Sequence, residues 1–340
     1  MSTKSILGDP SYINFQFPLL SFSVAIAIYP FIYTIPTTWV IYKTTKVFLL
    51  DTWNKRTRVG LDPQMFLVIT LSHVLNMLCF LLDCMESRIP ATGILTPWCA
   101  SNDHYLMLIV LLILKYYLYY ISLGFPFIVS TMRLIYLMFP WTNKKINTRF
   151  LQVGLPLIFV SPVLSTFWMF PARGECRQLR EPYPFGSVFV HYTGEISGMR
   201  NTPFFLANIS FWLGITILIN ILVLIKLLQT TKQSWLTIQN KSKKRKTAEI
   251  SITLTIGSMI VSCGMGGICS ILYLSFPDMA SYLAIIRPLG SDCDLFIPPW
   301  VFYLTHPTFQ QKPSTGANAA SVSNVSVMNF AVMNINMNKL

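Results

Sequence analysis

Residues 105–138 read YLMLIVLLILKYYLYYISLGFPFIVSTMRLIYLM, with Lys115 and Arg133 the only formal charges. About 20 predominantly apolar residues span roughly 30 Å of hydrocarbon as a helix, and this run is longer than that. It has no polar face for water, so lipid is the solvent it implies. Six further apolar blocks lie at about 19–42, 63–82, 150–170, 203–228, 250–276 and 282–304. The last is the least clean, because Arg287, Asp292 and Asp294 fall inside it. The pattern predicts an all-α fold, a seven-transmembrane helix bundle.

Composition agrees. Hydrophobic residues are 53% of the chain and charged residues 11%, well below the charged share of a soluble domain. A soluble fold of this size with so little charge would expose extensive apolar surface. The net charge of +13 is spread among the gaps between apolar blocks and is not gathered into a patch, which argues against nucleic acid as a partner.

The basic residues orient the bundle. The first connection holds Lys43, Lys46, Lys55, Arg56 and Arg58, the third Lys144, Lys145 and Arg149, and the fifth Lys226, Lys232, Lys241 and 243–246 (KKRK). The even connections hold Arg88, then Arg173, Arg177, Arg180 and Arg200, these last interleaved with Glu175, Glu181 and Glu195. Cytosolic loops carry the Lys/Arg excess, so the N-terminus is expected outside and the C-terminus in the cytosol. Residues 1–18 then form an outer segment, 19–305 the membrane domain and 306–340 a cytosolic tail, rich in Ser, Asn and Ala from Gln310 onward and expected to be disordered. The outer segment lacks the features of a cleavable signal peptide, so the first apolar helix is expected to serve as its own insertion signal. The Asn-x-Ser sites at Asn208, Asn240 and Asn324 fall in a span, a cytosolic loop and the tail, where no glycosylation is expected.

Of seven cysteines, Cys79, Cys263, Cys269 and Cys293 fall in or near apolar blocks and read as buried thiols. Cys99, just before the third block, and Cys176, in the long outer connection after the fourth, share the oxidising side and can form a disulfide that ties that loop over the bundle. Two free thiols, or Cys84 in place of Cys99, are the alternatives. Lys115 lies about 15 Å into the third span at 1.5 Å per residue, and Asp292 and Asp294 lie in the outer half of the seventh. Charges inside a membrane face a partner or a cavity, so Lys115, Arg287, Asp292 and Asp294 are candidates for a ligand pocket, with Lys115 opposite Asp292 or Asp294. An ion pair with no other role, or an irregular start to span seven at Arg287-Pro288-Leu289-Gly290 that leaves the aspartates in water, are the competing readings. Ser258, Ser262, Gly266 and Ser270 recur every fourth residue of the sixth block and mark a close helix contact.

Motifs for metalloproteolysis, phosphate binding or serine hydrolysis are missing from the sequence, and the four histidines have no metal-ligand spacing. No enzyme activity and no cofactor are expected.

Several stretches resemble the nematode serpentine receptors of class U: GDPSYINF at 8–15, YTIPT at 33–37, RLIY at 133–136 leading to Phe139-Pro140, RPLGSD at 287–292 and PWVFYLTHP at 299–307. The resemblance covers roughly residues 8–309. It implies a chemosensory seven-helix receptor of the plasma or ciliary membrane that binds an extracellular small molecule or peptide and signals through a heterotrimeric G protein. It also implies that Arg133, Lys144, Lys145, Lys243, Lys244, Arg245 and Lys246 face that G protein, although the basic cluster could equally meet lipid headgroups. Met132 stands where rhodopsin-like receptors carry an acid before the arginine, and Pro298-Pro299-Trp300 replaces an Asn-Pro-x-x-Tyr run. A transporter or channel subunit, or an orphan membrane scaffold, are the alternative functions. A transporter would need a continuous polar path, for which the spans offer few side chains.

Overall fold

The computed structural model describes residues 5–53, 62–139, 142–194, 196, 201–234, 243–276 and 279–310. Seven long helices follow the apolar blocks: α2 (Phe22–Trp53), α3 (Pro63–Asp83), α6 (Tyr105–Met138), α7 (Asn143–Thr166), α8 (Asn201–Ser234), α9 (Lys243–Ser275) and α10 (Ala280–Thr305). Short helices fill the ends: α1 (Pro10–Ile13), α4 (Ile89–Ala91), α5 (Thr96–Ser101) and α11 (Pro307–Gln310). Residues Asn240 and Asn324 and the tail beyond Gln310 lie outside the described residues.

The bundle is apolar on its outside. Along α7, Val153, Leu157, Val160 and Leu164 form one stripe at helical spacing and are 59% to 73% exposed, a surface that only lipid would cover. Toward the cytosolic side the core is built from Phe66 and Ile69 of α3, Phe125 and Met132 of α6, Ile256 of α9 and Phe302 of α10. The small-residue face of α9 is inside the bundle, with Ser262 and Ser270 buried. A Cβ on Gly266 would stand 3.1 Å from the Tyr119 hydroxyl of α6.

Six helices are long and apolar enough to cross a membrane on length and composition among the described residues. The seventh, α10, carries the three charges anticipated for it. It has 26 residues, about 39 Å at 1.5 Å per residue, and so reaches across. The irregular start considered for it does not occur, since the helix runs unbroken through Arg287-Pro288-Leu289-Gly290. Neighbours supply what its prolines remove. Pro298 has no N–H to give the carbonyl four residues back, and that carbonyl, on Asp294, instead accepts from Asn76 Nδ2 of α3 at 3.1 Å. Trp300 Nε1 donates to Thr37 Oγ1 of α2 at 3.0 Å.

Several helix ends differ from the sequence blocks, two of them with consequences for named residues. Helix α2 runs past residue 42 to Trp53, and Lys43 and Lys46, read as loop charges, lie on its cytosolic end with their ammonium groups over Trp39 and Tyr42. This is how long cationic side chains leave the hydrocarbon. Helix α3 continues beyond Asp83 through a π-helical turn, Cys84–Arg88, into α4. Cys84 is therefore a buried free thiol inside the helical run and not an interfacial loop cysteine.

On the outer side, β1 (Arg173–Gln178) and β2 (Val188–Thr193) form an antiparallel hairpin, with Cys176 opposite Val190. Cys99 of α5 is disulfide-bonded to Cys176. The N-terminal segment lies along the free edge of β1, where Ser5 bridges to Arg177 and Ile6 N donates to Cys176 O at 3.2 Å. The hairpin sits directly on α6: a Cβ on Gly174 would stand 2.6 Å from Ile109 N and 2.8 Å from Leu108 C, so only glycine lets the two backbones meet this closely. The first residue of α8 is tied to the same hairpin, its Asn201 N donating to Tyr192 Oη at 2.9 Å.

Candidate functional site

A cavity of about 190 Å³ lies in the outer half of the bundle, beneath the hairpin. A single water needs roughly 10–15 Å³, so this space suits a small organic molecule. Its floor and one wall are charged. Asp83, Glu86, Lys115, Asp292 and Asp294 all line it.

The π-turn explains why those charges meet. It carries Glu86 and Arg88 inward from the end of α3, and both are buried at 7% and 5% exposure. Such turns add a residue to a helix and cluster at functional sites. Lys115 Nζ of α6 reaches Asp83 Oδ1 at 2.8 Å and is also paired with Glu86. Arg88 presents both terminal nitrogens to the Asp292 carboxylate, Nη1 at 2.9 Å and Nη2 at 2.5 Å, while its Nε donates to Asp83 Oδ2 at 3.0 Å. The Arg88 guanidinium lies 4.8 Å from the Phe80 ring centre. Tyr33 of α2 donates its hydroxyl to Asp292 Oδ2. Asp83 thus bridges two cations, and four spans converge on one network. Charges buried this deeply are tolerable only in such paired, hydrogen-bonded sets.

Helices α6, α8 and α9 add aromatic side chains to the lining, Tyr116, Tyr119, Phe205 and Tyr273, and the Lys115 ammonium stands 5.8 Å from the Tyr116 ring centre. Tyr183, Phe189 and His191 of the hairpin region close the top. Tyr183 lies outside the spans, and burial pushes its phenol up to about 12, so it remains a neutral hydroxyl through the physiological range.

The cytosolic end is built differently. Arg133 of α6 is buried at 6% exposure. Its local acid is missing because Met132 precedes it, but Glu249 of α9 acts on it electrostatically from the neighbouring span. Lys144 and Lys145, in the first turn of α7, are exposed.

A family model described as serpentine type 7TM GPCR chemoreceptor Sru matches residues 6–312. The chain belongs to the Sru family. Serpentine receptor class U-26 of Caenorhabditis elegans is 33% identical to this Sru receptor over 261 residues, 77% of this chain and 88% of that protein. Among solved structures, squid rhodopsin matches with a TM-score of 0.59 at 10% identity, covering 90% of this chain and 83% of that one, a likeness of fold. The Sru receptor is thus a multi-pass membrane protein with the seven-helix fold of a G-protein-coupled receptor, N-terminus outside, of the chemosensory kind.

Of the residues singled out in its sequence, Lys115, Asp292 and Asp294 come together at the cavity. The pairing expected between Lys115 and an aspartate of span seven is replaced: Lys115 pairs with Asp83 and Glu86, and Asp292 with Arg88. The reason is the π-turn, which brings span-two carboxylates closer to Lys115. The side chains of Arg287, Lys243, Lys244, Arg245 and Lys246 lie outside the described residues, although α10 and α9 run through those positions. The sequence reading passed over Asp83, Glu86 and Tyr33, and counted Arg88 as a loop charge. The available signal was three charges in residues 83–88 followed by the uncharged stretch 89–102.

Proposed function

We propose that the charged cavity is the ligand site and that this Sru receptor detects an extracellular small molecule, or the end of a peptide, there. The observation that carries the reading is the ion-paired cavity itself, which joins spans one, two, three and seven beneath a disulfide-held hairpin. A ligand shifts the balance between two helix packings only by binding them unequally, and a network with partners on four spans is placed to feel that difference. On this reading Lys115, Asp292, Asp294 and Arg287 serve the ligand. Arg133, Lys144, Lys145 and the 243–246 basic run face a heterotrimeric G protein in the cytosol, and the chain catalyses no reaction. Residues 1–18 serve as the outer segment, 19–305 as the membrane domain and 306–340 as a cytosolic tail.

The test is heterologous expression with a chemical panel and a G-protein readout. Lys115→Met and Tyr119→Ala, the second of which leaves every charge in place, are each expected to shift an agonist response at least tenfold at equal surface expression. Responses unchanged in both variants, or an ionic current that persists without any G protein, would sink the reading.

A further inference from the structure

Among the described side chains, the charge around the cavity does not balance. Asp83, Glu86, Asp292 and Asp294 face Lys115 and Arg88, four carboxylates to two cations. Both cations are already engaged, Lys115 by Asp83 and Glu86, and Arg88 by Asp83 and Asp292. Asp294, two residues after Asp292 on α10, lines the same space, and no cation pairs with it among the described residues. Uncompensated negative charge in a poorly solvated space is costly, and two remedies exist: a proton on a carboxyl, or a cation from outside.

The aromatic lining favours the second. Tyr119, Phe205 and Tyr273 line the cavity from α6, α8 and α9, beside Tyr116, whose ring already faces the Lys115 ammonium. Ring faces attract organic ammonium groups, most strongly where water is excluded. Gly266 keeps Tyr119 at the cavity edge, since a side chain there would press on its hydroxyl. A carboxylate lacking a counter-charge and a set of aromatic rings lining the same cavity suit one class of molecule. Among the described side chains, anionic ligands would meet four carboxylates and find both cations occupied.

We propose that the cavity selects cationic ligands, organic amines or quaternary ammonium compounds, with Asp294 as the anchoring carboxylate and the tyrosine-rich wall holding the apolar body. The inference rests on the reading of this cavity as the ligand site, and the experiment separates the two. Thr202, in the first turn of α8, lines the cavity and is replaced by cysteine in the full chain, reconstituted in zwitterionic lipid nanodiscs. The Thr202→Cys thiol is reacted with three methanethiosulfonates of similar size, one neutral, one bearing an ammonium and one a sulfonate, and modification is read at that residue by peptide mass spectrometry.

The expected result is labelling by the neutral reagent and a cation-to-anion rate ratio at least about tenfold above that of a free thiol. A net charge several ångströms away in a medium of intermediate dielectric gives an effect of that size. Asp294→Asn should lower the ratio at least about threefold, and 2-phenylethylamine should slow the labelling where phenylacetate does not. A ratio equal to that of the free thiol, with neutral labelling intact, overturns the cation preference and leaves the ligand site standing, as would a proton already resting on a carboxyl. A ratio that Asp294→Asn leaves unchanged overturns the anchoring role. No labelling by the neutral reagent overturns both the inference and the site.

Discussion

Replacing Arg88 with methionine removes the cation that Asp292 and Asp83 share while keeping apolar bulk beside Phe80. The Asp292 carboxylate, 3% exposed, is left with the Tyr33 hydroxyl alone of the partners described above. Breaking a buried pair by removing one member costs about 3–5 kcal/mol, because the surviving charge stays desolvated. At about 2–4 °C per kcal/mol, the midpoint of thermal unfolding should fall by roughly 6–20 °C. Asp292→Asn should cost less, since Arg88 keeps Asp83 at 3.0 Å. The double variant Arg88→Met/Asp292→Asn buries no unpaired charge from this pair and should recover part of the loss. A double-mutant cycle, read by thermal denaturation in detergent with a thiol-reactive dye, should therefore give a coupling energy of about 2 kcal/mol or more between contacting residues. Additive losses, or an Arg88→Met variant within about 1 kcal/mol of the parent, would show that Arg88 is solvated or paired elsewhere and would refute the network as drawn.

Cys99→Ser/Cys176→Ser opens a link spanning 77 residues. The loop-entropy relation sets an upper limit of about 4.5 kcal/mol for the loss, and the midpoint of the double variant should fall and no longer respond to dithiothreitol. Gly174→Ala forces the hairpin away from Leu108 and Ile109 and should cost about 1–3 kcal/mol, as overpacking does; a midpoint equal to the parent's would mean the hairpin does not rest on α6. Burial raises the Tyr183 phenol, so the stability it contributes is complete below its unfolded value near 10 and is lost as pH climbs toward about 12. Unfolding midpoints measured from pH 9 to 12 should therefore drop less steeply in Tyr183→Phe than in the parent.

The spans and their orientation were legible in the sequence because each rests on a sum over many residues. Twenty apolar side chains outvote one charge, and the Lys/Arg excess of the odd connections is broad. The disulfide was legible because the two cysteines fall on the same oxidising side of the membrane. The site was legible only in part. Lys115, Asp292 and Asp294 stood out as charges in apolar surroundings, but Glu86 and Arg88 looked like loop residues, since the apolar block ends at Leu82. A hydropathy pattern ends where charge begins, whether that charge faces water or a cavity. The π-turn that turns these two residues inward leaves no mark in periodicity. Pro288 and Gly290 misled in the opposite direction: they suggested a break, yet α10 runs unbroken through both, as prolines in membrane helices can allow. The electrostatic partner of Arg133 was sought at the adjacent position, whereas Glu249 approaches from another helix.

The π-turn at Cys84–Arg88 makes the cavity sensitive to insertions and deletions in a way that substitutions cannot imitate. Loss of one residue there, for instance the outward-facing Met85, would restore a plain α-helix and rotate everything beyond it by about 100°. Glu86 and Arg88 would swing off Lys115 and Asp292 together, with neither side chain altered. A single codon gained or lost in this helix would therefore change which charges line the cavity. Among diverging gene copies, one such event would alter the cavity's charge more abruptly than a series of point changes along its wall.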